Sequence, residues 1–133
     1  MDSILASVKS ILGIPAGDDF FNDTILMHIN AVFSILRQLG VGDSDGFIAD
    51  ETSTWTDFFG EDFDPKKLQL VKTYMGMKVR SLFDPPASGT VSNSLDRMIA
   101  ELEWRINVQV DPSMVEDDDS VTIYVDNLDD DEF

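Results

Sequence analysis

The sequence predicts a mainly α-helical protein, a small domain of four to five helices with a long loop, followed by an extended acidic C-terminal arm containing a short β-strand. Two observations carry the prediction. Apolar residues recur at helical spacing almost throughout residues 1–110, with capping and stop residues at the expected places. The charge is also unevenly divided. The 133 residues carry 26 acids against 9 bases, a formal net charge of −17. Residues 111–133 hold ten of those acids and no base, leaving sixteen acids and all nine bases to residues 1–110, so −17 divides as −10 and −7. We therefore divide the chain into a helical domain, 1–110, and an acidic arm, 111–133.

The first helix is expected on the stripe Ile4, Leu5, Val8, Ile11 and Leu12, capped by Asp2 or Ser3 and ended by Gly13 and Pro15. A second should run from about Asn22 to Leu39 on Ile25, Leu26, Ile29, Val32, Phe33, Leu36 and Leu39, with Gly40 as its stop. Residues 41–54 read as a long loop, and Trp55 to Phe59 as a short helical turn whose aromatics pack down. Asp64-Pro65 is an N-cap followed by proline at the first helical position, which starts a helix reaching about Phe83.

That helix carries Lys66, Lys67, Lys72, Lys78 and Arg80 and no acid. Leu68, Val71, Met75, Val79 and Leu82 form one apolar stripe and Leu70, Tyr74 and Met77 a second. A helix with two apolar faces is either central in its domain or packed against a neighbouring subunit. Its cations either balance acids of the same domain or meet an acidic segment of an adjacent protomer. Asp84-Pro85-Pro86 stops it. The last helix is expected from about Asn93 to Val108, with Leu95, Met98, Ile99, Leu102 and Ile106 facing the core and Glu101–Arg105 as an i,i+4 pair. Trp104 falls nearly opposite that stripe, close to the direction of Arg97, and wants a second surface. In the arm, Val121, Ile123 and Val125 alternate with Thr122 and Tyr124, a strand pattern that needs a partner strand.

Composition removes several classes of function. Without cysteine there is no disulfide, no thiol nucleophile and no cysteine-ligated metal. The N-terminus lacks a basic region, and no apolar run approaches the ~20 residues that span a bilayer, so secretion and membrane insertion are disfavoured. A chain this acidic lacks the Lys/Arg surface that grips phosphates. His28, the one histidine, sits at the edge of its helical stripe and reads as a boundary residue. Asp43-Ser44-Asp45-Gly46 lacks the ligand spacing of a calcium loop and reads as a solvated turn. Glu101 and Glu103 lie on different sides of one helix. No catalytic constellation results; the protein is expected not to be an enzyme and to need no cofactor or metal.

Several segments together resemble a known family. Ile25-Leu26-Met27-His28-Ile29-Asn30 with Leu39-Gly40-Val41-Gly42 is similar to the second helix of tailed-bacteriophage head–tail connector proteins, the adaptor or head-completion family. Trp55 in its acidic and threonine setting and Val71-Lys72-Thr73-Tyr74 resemble it too, as does Lys78-Val79-Arg80-Ser81-Leu82-Phe83-Asp84-Pro85-Pro86. Glu101-Leu102-Glu103-Trp104-Arg105-Ile106 is similar to the family's closing helix. The resemblance covers residues 1–110 and leaves the arm outside it.

It implies a structural virion protein of the neck, assembled in the host cytoplasm. Such a protein forms a ring, typically dodecameric, below the portal protein, extends the DNA channel without binding DNA specifically, and offers a surface to the next neck, stopper or tail protein. Beside this stand the residue-level expectations. Trp104, Arg97, Leu70, Tyr74 and Met77 are candidates for a subunit interface, and Val121, Thr122, Ile123, Tyr124 and Val125 for a strand docking on portal or a neighbour. Asp43, Asp45, Asp50 and Glu51 are candidates for a lumen or partner loop. The competing reading is an acidic DNA mimic that occupies a nuclease or repressor. It uses the charge but needs neither the off-stripe tryptophan nor the family-like segments.

Overall fold

In the computed structural model, residues 3–43 and 45–110 are described, and among them five helices follow in order: α1 (Ile4–Leu12), α2 (Asn22–Gln38), α3 (Trp55–Phe59), α4 (Pro65–Phe83) and α5 (Gly89–Val110). The fold is mainly helical, as the periodicity requires. The expected strand at 120–125 lies outside the described residues.

Local chemistry explains the boundaries. The Ser3 side chain accepts from the Ala6 amide and starts α1. Gly13, at φ 78°, ends it, with Gly13 N–H donating to Ser10 and Ile14 N–H to Lys9. The end of α2 repeats this motif: Gly40 N–H bonds the Arg37 carbonyl and Val41 N–H the Leu36 carbonyl, satisfying two groups the helix leaves open. Thr54 and Asp57 form a reciprocal capping box on α3, and Asp64 caps α4 through the Lys66 amide.

The boundary that differs is that of α5, which begins four residues before the expected Asn93. Ser88 supplies the reason: its Oγ accepts from Val91 N–H and its carbonyl from Ser92 N–H, an N-cap placed two residues after Pro86.

The core forms where α1, α2 and α5 pack on α4, with α1 and α2 also packed on each other. Ile4, Val8, Ile25, Ile29, Val32, Leu36, Val71, Met75, Val79 and Ile106 are buried there. Gly76 permits the closest approach of α1 to α4. A Cβ at this position would collide with the Ile11 side chain, whose Cγ2 would lie 2.9 Å away.

Two details anchor the connections. Lys9 is 3% exposed, yet its ammonium donates to the Ala16 carbonyl (3.3 Å), the Asp18 carbonyl (2.7 Å) and Asn22 Oδ1 (2.9 Å). Asp19 stands 3.6 Å away. One buried charge thereby holds the α1–α2 connection against both helices. Asn30 on α2 accepts from the Ala49 amide (2.7 Å) and donates to its carbonyl (3.1 Å), pinning the long loop at mid-length. Trp55 is buried with Nε1 donating to Ser7 Oγ and its rings beside Phe33 and Phe59, and Phe47 and Phe58 in turn pack against Phe33. The expected packing of the loop's distal end is present, and Asn30 extends it toward the middle.

Three apolar residues depart from their expected core stripes. Ile11, Leu82 and Met98 are exposed. Ile11 and Leu82 each lie next to the last residue of their helices, and Ile11 stays 44% exposed although one side of it packs on Gly76 of α4. Met98 lies well around α5 from Ile99, and α5 packs chiefly on one helix, so its buried strip is narrow.

Replacing Lys9 with Met should lower unfolding stability by about 2–3 kcal/mol in a denaturant titration, because three acceptors, among them the buried Asn22 Oδ1, lose their donor. Gly76→Val should cost about 2 kcal/mol or more through overpacking, and Ile11→Ala in the same chain should recover part of it.

Candidate functional site

The second apolar stripe of α4 is covered from within the chain. Tyr74 is fully buried, and its hydroxyl donates to Glu103 Oε2 on α5 at 2.7 Å. Leu70 and Met77 are half-buried against the same core. Of the two explanations open to a two-faced helix, central position in its own domain is the one observed. Tyr74 therefore has no surface to offer another subunit, which corrects its place among the interface candidates. The physical reason is that α5 runs back antiparallel along this face after the Asp84–Ser88 turn. Burial and the neighbouring Glu103 carboxylate together push the Tyr74 phenol well above its ordinary range.

The outer side of α5 is different. Trp104 is 50% exposed and Arg97 is exposed on the same side of the helix. Glu101 and Arg105 pair across one turn, as their spacing predicts. Met98 and Val91, both about half exposed, form an apolar edge on the other flank that helical periodicity alone had assigned to the core or left unassigned. An indole half in water on a helix with one main packing neighbour is a surface with unused contact capacity.

The loop acids are exposed and largely engaged with their own backbone. Asp43 Oδ1 accepts from Asp45 N–H at 3.1 Å. Asp50 Oδ1 accepts from the Thr52 amide, the Thr52 hydroxyl and the Ser53 hydroxyl, and these bonds, Thr52's first, hold its carboxyl below the usual range. Glu51 Oε2 accepts from Asn22 Nδ2 at 3.4 Å. Asp45 is exposed. These carboxylates build turns first, and no group of three or more potential metal ligands gathers among the described residues. A cleft of about 390 Å³ between α1 and α4 is lined by Ser3, Ala6, Ser7, Ser10, Ile11 and Lys72, with no histidine or carboxylate beside its serines. His28 is half-buried at the domain edge, its ring 6.2 Å from that of Phe83. The arm residues Val121–Val125 lie outside the described residues.

A helical domain with an exposed aromatic face and polar turns is suited to protein contact. Comparison with known families decides which kind. The model of a family described as phage connector protein matches residues 4–113. The chain belongs to that family. No curated protein and no solved structure shows significant similarity to it. The family assignment makes this connector a structural component of a bacteriophage virion, associated with head and tail parts. No described helix of the connector is long and apolar enough to cross a membrane.

The match takes in all five helices, so the family-like segments quoted from the sequence fall within one assigned region. The sequence pattern missed Lys9, whose sole signal was a lysine on the edge of an apolar stripe, and the exposed flank of Met98 and Val91. Tyr74→Phe should cost about 1–2 kcal/mol through loss of a hydrogen bond to a charged acceptor. Because the folded-state pKa of Tyr74 is raised, its contribution is complete below about pH 10, the unfolded value, and declines above it. The connector's stability should therefore fall above about pH 10, and more steeply than that of the Tyr74→Phe variant. Parallel denaturation series at pH 8 to 11 would check both.

Proposed function

We propose that this connector is one subunit of a closed ring, dodecameric as in the family it resembles, seated below the portal protein at the capsid vertex. The ring extends the DNA channel and joins the head to the next neck, stopper or tail protein. It is a virion component put together in the host cytoplasm, and its work is mechanical rather than enzymatic. The observation that carries this reading is the half-exposed Trp104 beside Arg97 on the outer side of α5. Heterologous contacts that close into a ring would bury such a patch on every subunit without leaving a free edge. Tryptophan and arginine are the residue types that most often dominate interface energies. Leu70 and Met77, half-buried beside α5, lie at the margin of that interface.

DNA passes this ring without specific contact. The net charge of −7 on residues 1–110 keeps the duplex from adhering to the channel wall. Asp43, Asp45, Asp50 and Glu51 are exposed, which supports a role for their loop at the lumen or at a partner. In the arm, Val121 to Val125 add as a strand to a sheet edge of portal or of an adjacent subunit, with main-chain bonds giving affinity and alternate side chains giving register.

Light scattering with and without portal, and electron microscopy of the resulting particles, test the ring. Trp104→Ala should weaken assembly by about tenfold or more in half-saturation concentration while leaving the unfolding midpoint of the monomer nearly unchanged. Undiminished assembly of that variant would remove Trp104 from the interface. Deleting residues 111–133 should abolish attachment to portal with the helical signal of the domain retained; normal attachment would exclude the strand-addition role.

A further inference from the structure

The arm carries ten acids and no base, while α4 carries five cations and no acid. Among the described residues, no carboxylate forms an ion pair with Lys66, Lys67, Lys78 or Arg80. The most positive helix of the domain thus keeps four cations without a counter-charge among the described residues, and the most negative segment of the same chain follows α5.

Register brings them together. The Tyr74–Glu103 hydrogen bond fixes how antiparallel α4 and α5 lie against each other. Seven residues back from Tyr74 is Lys67, and seven residues on from Glu103 is Val110, the last residue of α5. Both helices rise by about 1.5 Å per residue, so α5 ends level with the start of α4. The chain leaves the helical domain beside Lys66 and Lys67. From Val110 to Glu116 is six residues, which span up to roughly 20 Å when extended. Lys78 lies eleven residues along α4 from Lys67, or roughly 16 Å. The acids Glu116 to Asp119 can therefore reach any of the four cations without leaving their own subunit.

We propose that Glu116–Asp119 docks in cis on the cationic flanks of α4, with Lys78 as its principal contact. Lys66 and Arg80 share one flank of the helix and Lys67 and Lys78 the other. Glu61, Asp62 and Asp64 immediately precede α4 and repel an acidic segment from Lys66, whereas Lys78 is remote from all three along the helix. Tethering supplies an effective concentration in the millimolar range, enough to populate a contact whose individual exposed ion pairs are weak. Such a contact is salt-sensitive and easily displaced. The free subunit then holds its arm against itself until a stronger partner draws it away. The inference rests on charge and register, and stands apart from the ring and from the strand-addition reading of residues 120–125.

The test uses the full chain. Normal and uniformly ¹⁵N-labelled chains are mixed unfolded, refolded together and treated with a zero-length carbodiimide cross-linker at low salt. Peptide mapping is expected to find Lys78 joined to carboxylates within 116–119, with both peptides carrying the same label. The yield should fall about fivefold or more in 1 M NaCl, where charges are screened beyond about 3 Å. Links between differently labelled peptides would assign the arm to a neighbouring copy and overturn docking in cis; absence of any link from the arm to α4, or a yield indifferent to salt, would overturn it as well. Independently, a full chain with Asp117→Asn, Asp118→Asn and Asp119→Asn should shift the backbone amides of α4 in a low-salt NMR comparison and leave those of α2 in place. Unchanged α4 amides would also refute the proposal.

Discussion

The fold depends on α4 being covered on several sides at once. A helix that presents Val71, Met75 and Val79 on one side and Tyr74 on another cannot rest on a surface; it must be surrounded. α1 and α2 take one part of its circumference and α5 another, and Gly76 gives α1 room to come close. This arrangement decides what is left for partners. Because the best apolar surface of α4 is used internally, what remains for partners is what the packed core leaves exposed. The outer side of α5 is one such surface, and it carries Trp104 and Arg97.

Most of the secondary structure was readable because punctuation and periodicity agreed. Gly13 and Gly40 stop their helices, and Thr54, Asp64 and Ser3 start theirs, through bonds that these residue types make locally. What escaped was whatever depends on distant residues. A wheel shows that Met98 and Ile99 are both apolar and neighbours on α5; it cannot show that only one wall of the helix is covered. The same limit put Tyr74 among surface candidates, since α5's return path and the Glu103 carboxylate that receives its hydroxyl are tertiary facts. Lys9 is the clearest case. A lysine in a last helical turn normally reads as a solvated residue favoured by the helix dipole, and only the loop folding over it turns it into a buried anchor.

The exposure of Trp104 has a local cause. An indole opposite the core stripe has no internal position to take, so exposure in the isolated subunit followed from spacing alone. The family-like segments added what physics could not. They run through residues that are mostly core and cap, such as Ile25, Ile29, Val71 and Tyr74, which define a fold rather than a binding event. Membership in the connector family therefore explains why the domain has this shape, and the residues that meet partners have to be sought in what the shared core leaves exposed.

The acidity argues in the same direction. A protein that imitates DNA needs carboxylates spaced along a continuous outer surface at intervals comparable to the duplex, which carries about one charge per 1.7 Å of axis. In the described domain, Asp43, Asp50, Asp57 and Asp64 bond backbone amides at turns and helix starts, Glu101 pairs with Arg105, and Glu103 receives Tyr74. Their positions are dictated by local chain geometry, not by an external lattice of phosphates. Charge that caps helices and shapes turns still repels a passing duplex, since repulsion requires only sign and proximity. The acids of the domain thus fit the proposed channel role, in which DNA passes without adhering.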